Sequence, residues 1–195
     1  MINAKAKFVK SATAIKDYPK DRLPQIAFLG RSNVGKSSLL NALFGSKKLV
    51  KVSASPGKTR ELNFFSVNDA FYAVDLPGIG FAKVSFKKQN EMEKAIRDYI
   101  ERAEDLKGVV YLVDIRHPGK LIDLETVKHI QSTGRRVLIV ASKRDKLGVQ
   151  EATKNLKAIQ EAFQLDYIPL TVSSLKKKGL EELWFEILQA VLPEA

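Results

Sequence analysis

The stretch GRSNVGKSS, residues 30–38, constrains this chain most, because it follows directly on the apolar run PQIAFL. It fits the pattern G-x-x-x-x-G-K-S, with Gly30, Gly35, Lys36 and Ser37 in the required places. Glycines let the main chain turn tightly, so that successive N–H groups converge on an anion and the next helix adds its positive N-terminus. The pattern predicts a strand, a phosphate-binding loop and a helix, with Lys36 reaching the β- and γ-phosphates and the Ser37 hydroxyl ligating Mg²⁺.

The rest of the chain alternates apolar runs with helical patterns. Strand-like runs begin at Gln25, Val109, Arg136 and Tyr167, and LNFFSV and AFYAVD, separated by Asn-Asp, are typical of a hairpin. Helical patterns cover 36–44, about 86–106, about 121–132, 150–163 and 180–191. This alternation predicts a three-layer α/β fold with helices on both faces of a six-stranded, mainly parallel sheet that has one antiparallel edge strand. Pro169 favours an edge position for the last strand.

Composition narrows the function classes. The 195 residues suffice for one domain with a substantial core, and the absence of cysteine excludes disulfides, thiolate metal sites and cysteine nucleophiles. Lys and Arg total 33 against 22 Asp and Glu, and this net charge of +11 favours a polyanionic partner, nucleic acid before an anionic membrane surface. A solubilising excess of charge is the alternative. With no apolar stretch of signal-peptide or membrane-span length, we expect a cytoplasmic protein with no membrane partner.

Three further motifs follow predicted strands. In DLPG, residues 75–78, the aspartate can hold Mg²⁺ through its water shell while the glycine N–H meets the γ-phosphate. In SKRD, residues 142–145, the Asp145 carboxylate can accept two hydrogen bonds that guanine offers and adenine does not, while the lysine stem lies over the base. In VSSLKKKG, residues 172–179, the Ser174 N–H can donate to the guanine carbonyl. Each of these three motifs alone is a common turn. Together with the phosphate loop they make four motifs in order along the chain, and this favours a guanine nucleotide.

With these residues in place, the chain resembles the EngB (YihA/YsxC) family of bacterial GTP-binding proteins over nearly its whole length. The motifs GRSNVGKSS, PGKTRELNFF, VDLPGIGFAKV, DIRHP and SSLKKKG carry the resemblance. It implies a P-loop GTPase domain at residues 24–195, with residues 1–23 as an extension packed on it. It also implies Mg²⁺-dependent hydrolysis of GTP to GDP and phosphate, a switch role in assembly of the large ribosomal subunit, and a link to normal cell division and septation.

The resemblance also assigns roles by position. It implies catalytic roles for Lys36, Thr59 and Gly78, and Mg²⁺ ligation by Ser37, Thr59 and Asp75, with Thr59 in switch one and Asp75 and Gly78 in switch two. The nucleotide-binding set that it implies consists of Gly30, Arg31, Ser32, Asn33, Val34, Gly35, Lys36, Ser37, Ser38, Gly57, Lys58, Thr59, Arg60, Glu61, Asp75, Leu76, Pro77, Gly78, Ser142, Lys143, Arg144, Asp145, Val172, Ser173 and Ser174.

Two positions depart from the common GTPase pattern. GTPases generally have Asn where this chain has Ser142, and we expect the shorter hydroxyl to lose the amide's reach toward the base and the phosphate loop. Nucleotide affinity should then be modest, with guanine preference retained through Asp145. Ile79 stands where many GTPases have a water-orienting glutamine, so unassisted hydrolysis should be slow. Two remedies are open: K⁺, bound with the help of Asn33 as in related potassium-dependent GTPases, or a group supplied by the ribosome.

Basic residues cluster beside the predicted switches and the base pocket, and we expect them to contact the precursor of the large ribosomal subunit and its rRNA. They are Lys47, Lys48, Lys51, Lys58, Arg60, Lys83, Lys87, Lys88, Lys176, Lys177 and Lys178. Solvated surface lysines are the alternative. We expect a monomeric switch GTPase, while two other functions stay open: a P-loop ATPase or nucleotide kinase, and an RNA-binding scaffold that holds GDP or GTP with little turnover.

Overall fold

The computed structural model describes residues 2, 4–46, 49–50, 61–80 and 85–192. In this part of the chain, seven strands form one sheet in the spatial order β1-β3-β4-β2-β5-β6-β7. The strands are β1 Ala6–Ala12, β2 Gln25–Gly30, β3 Leu62–Val67, β4 Phe71–Asp75, β5 Leu106–Asp114, β6 Arg136–Ser142 and β7 Leu170–Thr171. The five helices between them are α1 Lys36–Leu43, α2 Phe86–Arg102, α3 Leu121–Ser132, α4 Val149–Ala162 and α5 Leu180–Val191.

The sheet is mainly parallel, as the alternating pattern predicts. Strands β4, β2, β5, β6 and β7 pair in parallel, and β3 runs antiparallel to both β4 and β1. The β3–β4 connection is the predicted hairpin, and Asn68 and Asp69 both have positive φ, as a type I′ turn requires. The strand that follows Pro169 is a two-residue edge strand. The predicted fold class and the edge position of β7 are therefore confirmed.

The predicted strand number is wrong by one, because β1 adds a seventh strand beyond the hairpin. Its register against β3 shifts between Phe8 and Lys10, so the apolar and polar side chains do not alternate regularly along it. Most of its residues are exposed or half-buried, which hides the strand in a sequence pattern. The antiparallel strand β3 consequently lies one position inside the edge. The boundary predicted at residues 23 and 24 stays a prediction.

The helices cover both faces of the sheet and bury two separate apolar cores. Helices α2, α3 and α4 pack on one face, where Tyr99 is fully buried and its hydroxyl donates to Gln25 Oε1 at 2.8 Å. Helices α1 and α5 pack on the other face, where Ile187 of α5 and Phe28 of β2 belong to one buried cluster. No helix within the described residues combines the length and apolar character needed to cross a membrane.

Helix α2 ends four residues before the sequence predicts, and the Arg135 side chain explains the early end. The Arg135 guanidinium donates to the carbonyl oxygens of Ile100 at 3.2 Å, Ala103 at 2.9 Å and Leu106 at 2.8 Å. The last carbonyls of a helix have no hydrogen-bond donor within the helix. A cationic side chain that donates to them satisfies them without a further helical turn. The helix therefore ends at Arg102, and β5 begins at Leu106.

Because Arg135 caps the end of α2, we expect Arg135 and its neighbour Arg136 to contribute differently to stability. We expect Arg135→Met to lower the free energy of unfolding by about 2 kcal/mol, because half-buried carbonyls lose charged donors. Arg136 is exposed and pairs with Glu186 at the surface, so Arg136→Met is the matched control and should unfold like the parent. Urea unfolding of the two variants measures the difference, and equal stabilities would contradict the capping role.

Candidate nucleotide-binding site

The carboxyl ends of five parallel strands meet at one edge of the sheet, and the predicted motifs lie there. Gly30 ends β2, Asp75 ends β4, Asp114 ends β5 and Ser142 ends β6, while Ser173 lies just beyond β7. Because the strands are hydrogen-bonded neighbours, residues that are far apart in the sequence become adjacent in space. In open α/β sheets, ligands bind at this edge.

The loop between β2 and α1 has the conformation of an anion-binding turn. Gly35 has φ +106°, a left-handed conformation, and α1 begins at the next residue. Asn33 also has positive φ and is exposed, whereas Val34 and Lys36 are buried. The N-terminus of α1 therefore opens onto the loop, with Ser37 and Ser38 half-buried in its first turn.

Lys36 and Asp75 form a buried ion pair at the base of this loop. The Lys36 ammonium donates to Asp75 Oδ1, with side-chain exposures of 7% and 1%. The second carboxylate oxygen, Oδ2, is buried and has no hydrogen-bond partner among the described residues. An unsatisfied carboxylate oxygen is costly, so this atom is suited to a cation or its bound water.

The oxygen atoms at this position fit the chemistry of Mg²⁺, which prefers hard oxygen ligands and keeps several waters. Asp75 Oδ2 and the Ser37 hydroxyl would hold the ion. Bound Mg²⁺ neutralises charge on the β- and γ-phosphates. Four residues of the predicted set, Gly57, Lys58, Thr59 and Arg60, lie outside the described residues, and this includes the predicted Mg²⁺ ligand Thr59.

The start of switch two is joined to the phosphate loop by main-chain contacts. Ile79 N–H donates to Gly30 O at 3.1 Å, and Ser32 N–H donates to Ile79 O at 3.0 Å. A Cβ added to Gly78 would lie 3.1 Å from the Ser32 main chain, so a side chain there would press against the loop. Leu76 and Pro77 are buried. The structure thus brings the predicted switch-two residues into direct contact with the predicted phosphate loop.

The predicted base pocket is built from β6 and the loop after β7. Asp145 Oδ1 accepts a 2.6 Å hydrogen bond from Ser173 Oγ, and this bond is the main reason that the pKa of Asp145 is lowered. The carboxylate therefore stays ionised as an acceptor at neutral pH. Arg144 N–H donates to Val172 O at 3.1 Å, which ties the two predicted segments together. Ser174 is half-buried beside them. Away from this pocket, Glu61, which follows the predicted switch-one threonine, is exposed just before β3.

Ser142 corrects one expectation. Its hydroxyl lies 2.7 Å from Val34 O and 3.2 Å from Val113 O, so it can donate to the phosphate loop. The expected loss of contact with that loop is wrong. Ser142 ends β6 and is 4% exposed, and this buried position holds its short side chain beside Val34. The expected modest nucleotide affinity stays a prediction.

Lys143 connects the base side of the site to the phosphate side. Its ammonium donates to Asn33 O at 2.6 Å and lies 3.0 Å from Asp114 Oδ2. Arg116 binds the same carboxylate through Nε at 2.9 Å and Nη2 at 2.7 Å. Burial alone would raise the pKa of Asp114, but the hydrogen bonds from Arg116 and Lys143 hold it well below its usual range. Asp114 therefore stays charged and orients Lys143.

Sequence reasoning missed Asp114 as a site residue. A carboxylate that ends a buried parallel strand was the available signal, because it lies at the ligand edge of the sheet. His117, in the same DIRHP motif, is exposed, and its main-chain N–H donates to Asp114 O at 2.8 Å.

Comparison with known proteins decides the family. Residues 25–143 match the 50S ribosome-binding GTPase family. Over 190 residues the chain is 46% identical to the probable GTP-binding protein EngB of Clostridium kluyveri, a match that covers 96% of this chain and 95% of that protein. The chain belongs to the EngB family of GTP-binding proteins. The EngB of Clostridium beijerinckii is 48% identical over 181 residues, 92% of this chain and 91% of the relative.

Solved structures agree with the fold. A probable GTP-binding protein engB superposes with a TM-score of 0.72 at 24% identity, over 86% of this chain and 98% of that one. Era in complex with MgGDPNP and nucleotides 1506–1542 of 16S ribosomal RNA superposes with a TM-score of 0.71 at 26% identity, over 89% of this chain and 58% of that one. The predicted EngB resemblance and P-loop GTPase fold are therefore confirmed.

The Ser142 contact yields a prediction for this EngB-family site. Ser142→Ala leaves the buried Val34 carbonyl without this donor, and we expect GDP affinity to fall about fivefold, the equivalent of one hydrogen bond. Ser142→Thr keeps the hydroxyl and is the matched control. Titration with a fluorescent GDP measures both affinities. An unchanged affinity in the alanine variant would show that the hydroxyl does not position the loop.

Proposed function

We propose that this chain is a Mg²⁺-dependent GTPase that hydrolyses GTP to GDP and phosphate and acts as a switch in assembly of the large ribosomal subunit. The observation that carries the proposal is the buried Lys36–Asp75 pair with its unpartnered Oδ2 atom, placed beside an anion-binding loop. With a nucleotide bound, Lys36 would contact the phosphates, and the Asp75 carboxylate would help to hold the cation. Membership of the 50S ribosome-binding GTPase family supports the ribosomal role.

Selectivity for guanine rests on Asp145. Its ionised carboxylate can accept hydrogen bonds from the guanine ring N–H and exocyclic amine, and adenine offers no such pair. The rival functions of ATPase and nucleotide kinase need an adenine pocket, which an acceptor at this position disfavours. Lys143 supports the base with its stem while its ammonium stays fixed to Asn33 O and Asp114.

Hydrolysis should be slow without an activator. Ile79 follows Gly78 directly, is 8% exposed and carries no group that could orient water. We propose K⁺ as one activator. The Asn33 side chain is exposed at the mouth of the loop and forms no hydrogen bond with the described residues, so its oxygen fits as a ligand. Bound K⁺ supplies positive charge near the phosphates. A ribosomal group supplied in trans is the second proposed activator.

Contact with ribosomal RNA is proposed from charge. Lys87, Lys88, Lys176, Lys177 and Lys178 are exposed near α2 and the base pocket. The basic residues Lys47, Lys48, Lys51, Lys58, Arg60 and Lys83 of the same prediction lie outside the described residues. Era, with which this chain shares its fold, was solved with ribosomal RNA bound, and this supports an RNA partner. We also propose that the chain works as a monomer in the cytoplasm and that cell division and septation depend on it.

A second function is favoured by Ile79. An RNA-binding scaffold that holds GDP or GTP needs no water-orienting side chain, so the apolar residue at this position suits it as well. The two functions differ in turnover. We expect GTP hydrolysis to rise at least about tenfold when large ribosomal subunits are added in K⁺ buffer, the equivalent of 1.4 kcal/mol of barrier. Hydrolysis that remains at the unassisted rate under all conditions would favour the scaffold.

Base selectivity has a direct test. The parent should bind GDP at least about a hundredfold more tightly than ADP, since a charged acceptor loses two hydrogen bonds with adenine. Inosine diphosphate, which lacks only the exocyclic amine, should fall between them. Asp145→Ala should bind GDP and inosine diphosphate equally, because the acceptor is gone. A parent that binds GDP and ADP equally would refute the proposed guanine site.

The potassium proposal has a separate test. GTP turnover of the parent should be faster in K⁺ than in Na⁺ at equal ionic strength, and Asn33→Ala should remove this difference. GDP affinity serves as the internal control, because the Asn33 main-chain oxygen that holds Lys143 is retained. If the alanine variant keeps the full potassium effect, Asn33 is not the ligand.

A further inference from the structure

Arg31, in the phosphate loop, is held by a carboxylate of α3. The Arg31 Nε donates to Asp123 Oδ2 at 2.9 Å, and the Tyr111 hydroxyl of β5 donates to Asp123 Oδ1 at 2.8 Å. Asp123 is fully buried, and Arg31 is a quarter exposed. Burial raises the pKa of Asp123, while its contacts with Tyr111 and Arg31 favour the charged form. Both carboxylate oxygens thus have a donor.

The main chain on either side of Arg31 holds the start of switch two. Gly30 O accepts from Ile79 N–H and Ser32 N–H donates to Ile79 O, so the two bonds enclose Arg31. Arg31 and Ile79 also form a parallel bridge. Any shift of the Arg31 main chain would therefore move both bonds that fix switch two to the loop.

We propose that the Arg31–Asp123 ion pair is a positioning contact that fixes the start of switch two against the phosphate loop and so sets the ratio of the affinities for GTP and GDP. This inference rests on the proposed function, since it requires a chain that binds both nucleotides. Arg31 and Asp123 are positioning residues here, because they act through the main chain of Ile79.

The expected effect is specific for the γ-phosphate. The α- and β-phosphates would be bound by the end of the loop and the N-terminus of α1, which begins at Lys36, five residues beyond Arg31. The γ-phosphate is served by the Gly78 N–H, whose position depends on the packing of Gly78 against Ser32. A loosened switch two should therefore weaken GTP binding more than GDP binding.

A purely structural role is the competing explanation. Removal of one partner of a buried ion pair destabilises a protein strongly because it leaves a buried charge unpaired, and this cost is avoided when both charges are removed together. The double variant Arg31→Met/Asp123→Asn removes both charges without leaving either one unpaired. Ile187, 2% exposed on the opposite face of the sheet, supplies a variant that is destabilised away from the site, Ile187→Ala.

The experiment compares affinities for fluorescent GDP and a non-hydrolysable GTP analogue in Mg²⁺ buffer. We expect the double variant to lose about fivefold more affinity for the GTP analogue than for GDP, the equivalent of one hydrogen bond. Arg31→Lys keeps the opposite charges and should keep most of the parental ratio of GTP-analogue affinity to GDP affinity. Ile187→Ala should keep the parental ratio despite its lower stability. If the double variant does not fold, Arg31→Gln/Asp123→Asn, which also removes both charges but keeps polar side chains, is measured against the same prediction.

The outcomes separate this inference from the proposed function. An unchanged ratio in the folded double variant overturns the positioning role, and so does an equal change in Ile187→Ala. A parent that binds neither nucleotide refutes the proposed function and the inference with it. A parent that binds both nucleotides with a ratio that the variants do not alter refutes the inference alone.

Discussion

Lys36 and Asp75 form an ion pair at the base of the phosphate loop, and both side chains are almost wholly buried. A buried ion pair is weak evidence for stability, because removing two charges from water costs much of what their attraction returns. We interpret this pair as two charged groups, each of which would exchange its present partner for a part of the bound nucleotide and its cation. A phosphate would attract the ammonium and a cation would attract the carboxylate, so a nucleotide with its metal ion would satisfy both groups.

The sheet fixes the groups that would take part in this exchange, because main-chain hydrogen bonds hold the strands that carry them. Asp75 ends β4, which pairs with β2, and β2 leads into the loop at Gly30. From Asp75 the chain passes within three residues to Gly78, which packs against Ser32. Gly78, the proposed sensor of the γ-phosphate, is thus attached to the predicted phosphate loop. We expect small shifts of one to move the other, as the proposed switch role requires.

The parts of the site that local spacing determines could be predicted from the sequence. The phosphate loop depends on glycine and helix-start chemistry within nine residues, and the motifs at Asp75 and Asp145 follow strands that their apolar runs reveal. Contacts that depend on tertiary packing could not be predicted. The end of α2 is set by Arg135, which lies 32 residues beyond Ala103, whose carbonyl it binds. The edge strand β1 is stabilised by pairing with β3.

Asp123 shows where a stricter interpretation of the pattern would have succeeded. It precedes Val127 by four residues and Ile130 by seven, so it lies on the buried stripe of α3. A carboxylate on such a stripe needs a buried partner, and Arg31 of the loop motif is one of the cations at the predicted ligand edge. The same argument applies to Asp114, which holds Lys143. Both carboxylates bind cations that touch the phosphate loop, so the loop is fixed from the base side and from the switch side by charge as well as by its main chain.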